Sequence, residues 1–422
     1  MAKKPKYDAA KALLATLPPP TGEPDDYWEK NLQFTDKGQL LAVLRNVFLI
    51  LTRDERWQQV LAFDKFSNQV MKLKPPPYEG GGKAGPWDDV DDLRTVIWLS
   101  QQYAVNVHKQ TVTDAAMAVA NERRFHPVRE YFAGVTWDGR ERLPTWLHEY
   151  LGAQANEYTR AVGIKYLVGA VARVMHPGCK MDNVLILEGE QGRWKSTALA
   201  VLAGEWFMDT PFTLGDKDAY LALRGKLIVE MAELDALGRA ESSRAKAFFS
   251  SSSDTFRAPY QAWARTIPRQ CVFAGTVNHG TYLRDTTGNR RYWPVRVTRA
   301  ELDALRTDRD QLWAEAYALW ERGTRWWLQQ EERSTFEQEQ ELRYVGDALE
   351  DKLREYLAGE TETTMERVLE VGLKLDVSKW TRAEQSRVGE VLQKIGWEKR
   401  RRAIGRRDYF YAKREREPGE DD

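Results

Sequence analysis

Cysteine and histidine are scarce, with two of the first and five of the second in 422 residues. Cys179 and Cys271 stand far apart and lack metal-type spacing. That argues against a disulfide scaffold or a zinc module and fits a reducing, cytoplasmic setting. His108, His126, His148, His176 and His279 form no ligand cluster in the sequence either. No apolar run approaches the ~20 residues needed to cross a bilayer. The basic start, Met1 to Tyr7, leads into no hydrophobic signal segment. Net charge is missing too, since 63 basic side chains balance 63 acidic ones. A nucleic-acid partner must therefore be argued from local patches rather than from overall charge. These absences leave a soluble, intracellular protein as the expectation.

What is present is a globular composition, 42% hydrophobic and 30% charged, over a length that suits two or three domains. Residues 1–26, with Pro18-Pro19-Pro20, Gly22 and Pro24, read as a loose arm. Residues 27–124 read as a mixed α/β or helical accessory domain. Helical spacing runs through Leu40 to Leu51, strand-like alternation from Trp57 to Val70, and helices over Asp88–Tyr103 and Thr111–Arg124. A Pro/Gly-rich insert, Pro75 to Gly85, divides this region. Residues 125–345 change character. Short apolar runs at Val184–Leu187, Leu227–Val229, Cys271–Val277 and Tyr292–Val297 alternate with helical patterns, as in an α/β fold with a parallel sheet. The amphipathic stretch from Glu301 to about Val345 reads as lid helices.

The first of these runs enters Gly189-Glu190-Gln191-Gly192-Arg193-Trp194-Lys195-Ser196-Thr197, and a helix-forming stretch follows. Strand, glycine-bearing loop, Lys-Ser-Thr and helix are the context of a phosphate-binding loop. Its backbone N–H groups and helix N-terminus suit phosphate oxygens. Gly189, Gln191, Gly192, Trp194, Lys195, Ser196 and Thr197 are thus the candidate ATP-binding residues, with Lys195 for the β- and γ-phosphates and Ser196 for Mg²⁺. Trp194 stands where glycine usually precedes the lysine. It would either crowd the nucleotide or point outward, toward the base or a neighbouring subunit.

The second run ends in acids, Glu230-Met231-Ala232-Glu233. A nucleotide-hydrolysing site needs one carboxylate to organise Mg²⁺ and one to orient and deprotonate water. Glu230 suits the metal; Glu230 and Glu233 both qualify as the base, with Asp235 behind them. The third run ends in Asn278, suited to the γ-phosphate or the attacking water. Arg290 and Arg291, after Arg284, suit charge stabilisation on a transferring phosphoryl group, in cis or from a neighbouring subunit.

This order resembles the superfamily 3 helicases of the AAA+ class. The stretches Glu230 to Leu234, Arg257-Ala258-Pro259-Tyr260, Pro268-Arg269-Gln270-Cys271 and Gly288-Asn289-Arg290-Arg291-Tyr292-Trp293-Pro294 resemble the virulence-associated E family of phage and genomic-island proteins more closely. The resemblance implies an AAA+-like P-loop core, a ring of subunits and a DNA-contacting loop between the acids and Asn278. In that loop Lys246, Arg257 and Arg265 would meet phosphates, and Tyr260 or Trp263 would stack on bases. Members are often associated with a primase. No primase signature is visible in this sequence, so priming would fall to a separate protein.

Residues 346–416 outline a winged helix, with helical spacing at Thr364–Leu369 and Thr381–Ile395 and two short strands around a glycine turn from Arg400 to Tyr411. Between Trp380 and Arg416 twelve basic residues face five acidic ones. Arg387, Lys399, Arg400, Arg401, Arg402, Arg406 and Arg407 are the candidate DNA contacts there. Residues 417–422 form an acidic tail. The expected function is an ATP-dependent DNA translocase or helicase in mobile-element replication. The alternative is a DNA-binding nucleotide switch, an initiator or interference factor, that does not unwind.

Overall fold

The structure, a computed structural model, describes residues 28–212, 217–232, 239–256, 264–278, 283, 289–343, 348–402 and 409–413. The expected arm and acidic tail lie outside the described residues.

The amino-terminal body combines helices with a small sheet. Its elements are α1 (Leu44–Arg53), β1 (Leu61–Asp64), β2 (Gln69–Lys72), β3 (Gly85–Pro86), α2 (Asp89–Tyr103), α3 (Lys109–Glu122) and β4 (Arg124–Phe125). The sheet order is β3-β2-β1-β4, and β4 runs parallel to β1. The strand pattern expected from Trp57 begins later, because Trp57 closes a short 3₁₀ turn and is buried among Tyr78, Trp87 and Trp98. Asp88 and Asp91 cap the start of α2 reciprocally, satisfying backbone donors that would otherwise be unpaired.

The central unit begins with α4 (Pro127–Gly134), α5 (Trp146–Leu151) and α6 (Glu157–Met175). His126 caps α4, and Pro127 occupies its first turn, where a missing N–H costs nothing. Then come β5 (Val184–Glu188), α7 (Lys195–Ala203), β6 (Phe207–Met208), α8 (Lys217–Ala222), β7 (Ile228–Ala232), α9 (Arg239–Ser250), β8 (Ser253–Phe256), β9 (Arg265–Pro268), β10 (Val272–Val277), β11 (Tyr292–Arg296), α10 (Leu302–Glu321) and α11 (Arg333–Glu341). Five strands form one sheet in the order β11-β5-β10-β7-β6, and every pairing in it is parallel. Alternation along β5 explains why its run is wholly apolar. Leu185 and Leu187 face the core made with α6, α7 and α10, while Val184 and Ile186 face the core made with α9. A parallel strand covered on both faces reads as a continuous apolar run. α6 is apolar on nearly all sides for the same reason.

The carboxy-terminal module holds α12 (Ala348–Leu357), β12 (Glu362–Thr363), α13 (Met365–Arg367), α14 (Arg382–Lys394), β13 (Trp397–Arg401) and β14 (Tyr409–Lys413). Its antiparallel sheet runs β12-β14-β13 over a core that includes Leu353, Leu392, Trp397 and Tyr411. Among the described residues, no helix is long and apolar enough to cross a membrane.

Candidate nucleotide site and nucleic-acid surfaces

Parallel pairing brings the carboxyl ends of β5, β10 and β7 to one edge of the sheet. Val277 sits beside Glu188, and Thr276 lies between Leu187 and Ala232. The loop after β5 is fixed by close backbone approach. Gly189 has φ of 151°, and a Cβ there would fall 2.6 Å from the Val297 carbonyl oxygen. The loop closes onto α7, which starts at Lys195.

Lys195 folds back over its own loop. Its ammonium donates to the carbonyls of Gly189 at 2.5 Å and Glu190 at 2.9 Å, and to Asn278 Oδ1 at 3.3 Å. Burial pulls its pKa below the usual lysine value, and the negative charge of Glu230 opposes that shift. Ser196 Oγ donates to Glu230 Oε1 at 2.6 Å, and Thr276 Oγ1 donates to the same oxygen at 2.7 Å. Glu230 Oε2 is buried and has no hydrogen-bond partner among the described residues. A buried carboxylate oxygen left unpaired is costly, so its position calls for a cation or a donor that arrives with a ligand. A hydroxyl, a carboxylate oxygen and an ammonium side by side are the donor set that suits Mg²⁺ with phosphate oxygens. Thr276 was not singled out in the sequence reading. Its signal there is a lone hydroxyl inside an otherwise apolar run.

Trp194 takes the left-handed conformation, with φ 57° and ψ 26°. For a residue bearing a Cβ this costs roughly 1–2 kcal/mol. The glycine-type backbone is therefore kept although the residue is not glycine. The indole points outward and is 62% exposed, so it does not fill the loop. Gln191 and Gly192 are exposed on the loop, and Thr197 is half-buried in the first turn of α7.

Arg290 and Arg291 stand elsewhere. They precede β11, whose first residue, Tyr292, pairs with Val184 at the start of β5. The length of β5, about 13 Å at ~3.3 Å per residue, therefore separates them from the loop after β5 in the same chain. Arg290 is exposed, whereas Arg291 donates to Ser250 Oγ at 2.8 Å and lies 3.5 Å from Asp182. The geometry therefore does not bring the pair to the loop after β5 in the same chain. Glu233, Asp235 and Arg284 lie outside the described residues.

The expected DNA-contacting loop is an antiparallel hairpin of β8 and β9, with Phe256 opposite Arg265. Arg257, Tyr260 and Trp263, between the arms, lie outside the described residues. Arg265 is exposed on β9. Lys246, expected to meet a phosphate, is buried within α9. The hairpin base instead rests on a residue to which the sequence assigned no role. The Arg269 side chain is 1% exposed and donates to both carboxylate oxygens of Asp254 and to the Phe248 carbonyl. Its guanidinium also lies 4.6 Å over the Phe248 ring. Next to it, Gln270 Oε1 is 2.7 Å from His126 Nε2. Burial lowers the His126 pKa from 6.5 to about 4. Arg224 Nε donates to the Ser67 carbonyl at 2.8 Å, so the β1–β2 turn is joined to the segment leading into β7.

In the carboxy-terminal module Lys399 and Arg401 flank the exposed Tyr409 ring, at 4.4 and 5.8 Å from its centroid. Arg402 pairs with Glu362 at 2.6 Å, and Arg400 lies 3.8 Å from Glu398. Arg406 and Arg407 lie outside the described residues, as does the side chain of Arg387.

Residues 132–345, just over half of the chain, match the virulence-associated protein E-like domain. The comparison with curated proteins found no match. Two solved apo structures of the NrS-1 C-terminal region (305–718) are similar at 12% identity. They cover 84% of this chain and 95% and 96% of their own, with TM-scores of 0.45 and 0.42.

Proposed function

The chain belongs to the virulence-associated protein E-like family, and from that premise we propose that it is a P-loop ATPase that drives movement on DNA during replication of a phage or other mobile element. The observation that carries this reading is the meeting of Lys195, Ser196, Thr276, Asn278 and the unpaired Glu230 oxygen at one sheet edge. Bound ATP with Mg²⁺ would supply the reactive γ-phosphoryl group and the cation that offsets its charge. Lys195 would exchange its carbonyl partners for phosphate oxygens. Ser196 and Glu230 would hold the cation, and Asn278 would orient the γ-phosphate or the attacking water. Glu230 or Glu233 would take the proton from that water.

The strand order β11-β5-β10-β7-β6 supports an AAA+-like core of the superfamily 3 type, because a strand ending in a polar residue lies between the loop strand and the acidic strand. The arginines support a ring of subunits. Arg290 stands exposed at the end of the sheet away from its own chain's loop, a position suited to a neighbour's site. The β8–β9 hairpin and the winged-helix-like module with Lys399, Arg401 and Tyr409 supply surfaces for DNA phosphates and bases.

A second reading rests on Trp194. A strained, exposed indole in the phosphate loop favours a slow nucleotide switch that binds DNA without unwinding it. Strand displacement from a forked duplex separates the two readings. ATP-dependent displacement that disappears in Lys195→Ala supports the motor. DNA binding with ATP but without displacement supports the switch.

A further inference from the structure

Arg343 follows α11 and reaches back to the end of β5. Its side chain is 13% exposed, and that of its partner, Glu188, is 6% exposed. The Arg343 Nε donates to Glu188 Oε1 at 2.9 Å and Oε2 at 3.2 Å, and Nη2 donates to Oε2 at 3.1 Å. Nη1 turns to Glu339, donating to its carbonyl at 2.8 Å and to its carboxylate. The main chain of Arg343 adds a further tie, because its carbonyl accepts the Leu283 N–H at 3.1 Å. α11 is itself well seated. Phe336 packs edge-on to Tyr158 and Trp293, and Gln340 Nε2 donates to the Tyr292 carbonyl at 2.9 Å.

These ties bracket the partners of Lys195. Gly189, whose carbonyl holds the ammonium, follows Glu188 directly, and Asn278, which also holds it, precedes Leu283 in the chain. A buried ion pair adds little net stability over a well-packed apolar pair, whereas a bidentate fork fixes direction as well as distance. Turnover needs that precision. The loop and Asn278 leave different strands, and a misplacement of about 1 Å can cost about 100-fold in rate. We propose that Arg343 is a positioning residue for nucleotide turnover, setting the root of the loop after β5 against the segment that carries Asn278. The inference rests on the ATPase reading and deepens it. ATP binding depends less on Arg343, because the first turn of α7 is held independently by Ala198, Leu199 and Leu202 in the central core.

Steady-state ATP hydrolysis well below the melting temperature of every variant tests the proposal, with ATP affinity by calorimetry and melting curves on the same samples. Arg343→Met should lower kcat about 30-fold and shift the Kd for ATP by less than about threefold. Arg343→Lys keeps the charge beside Glu188 but not the fork. It should melt closer to wild type and still lower kcat about fivefold. Adding Glu188→Gln to Arg343→Met should lower kcat no further, since the tie is already gone. A kcat within about twofold of wild type in Arg343→Met, with only the melting temperature lowered, would overturn the proposal and leave Arg343 a stabilising role. A loss of affinity as large as the loss of kcat would overturn it too, by assigning Arg343 to ATP binding. A wild type that binds ATP without turning it over would sink the ATPase reading, and this inference with it.

Discussion

Replacing Arg269 with methionine while keeping Asp254 would strand a carboxylate at the base of the hairpin. Both side chains are nearly inaccessible, at 1% and 7% exposure. Removing one partner of a buried ion pair costs ~3–5 kcal/mol, because the remaining charge is left uncompensated. Loss of the guanidinium from above the Phe248 and Phe273 rings adds about 0.5–2 kcal/mol. The damage should stay local. Asp254 belongs to β8, whose only sheet partner among the described residues is β9, while the five-stranded sheet keeps its own two apolar cores. Hydrogen exchange should therefore accelerate by about 100-fold or more at Ser253–Phe256 and Arg265–Pro268, since each ~1.4 kcal/mol is tenfold. The β5 and β10 amides should change far less. Arg269→Met/Asp254→Leu should recover most of the loss, because an apolar pair of similar volume replaces a buried ion pair with little penalty. An effect below about 1 kcal/mol in the single variant, or a double variant no better than the single one, would refute the anchoring role of Arg269.

Acid should weaken the junction at His126. Burial holds its folded pKa near 4, against 6.5 for the free side chain, so the unfolded chain takes up a proton that the folded chain refuses. Stability is then full above pH 6.5 and falls by about 3 kcal/mol as pH drops to 4, and urea titrations of His126→Gln should show a flatter profile over that window. Gly189→Ala should lower ATP affinity at least about tenfold by calorimetry, because the new Cβ meets the Val297 carbonyl oxygen in a strained φ region; an unchanged Kd would contradict the close approach. Lys399→Ala/Arg401→Ala should reduce the salt slope of single-stranded DNA binding by about 1.4, at ~0.7 per phosphate contact, and an intact slope would place the DNA elsewhere.

The apolar strands and the glycine-bearing loop between β5 and α7 were legible because their signals are local. Val184–Leu187 is a run buried on both faces, and the loop that follows it carries its glycines and Lys195 within a few residues. β6 was not legible, since two residues, Phe207 and Met208, carry no periodicity and gain their strand identity from pairing with β7. Arg269 was quoted in the sequence only as part of a stretch, because its partners Asp254 and Phe248 come together through the hairpin. The burial of Lys246 was not legible for the complementary reason: a charged residue in a mixed pattern reads as surface, yet it is buried within α9. The location of Arg290 needed strand direction. Once β11 is known to run parallel to β5, residues just before it must sit at the edge away from the loop.

The ATPase rate with and without single-stranded DNA, in wild type, Lys195→Ala and Glu230→Gln, tests the central claim most directly. The account predicts turnover that DNA stimulates several-fold and that both substitutions reduce by about 100-fold or more, as expected when a group acting on the transferring phosphoryl is lost. ATP binding without turnover in the wild type, or wild-type rates in both variants, would contradict it.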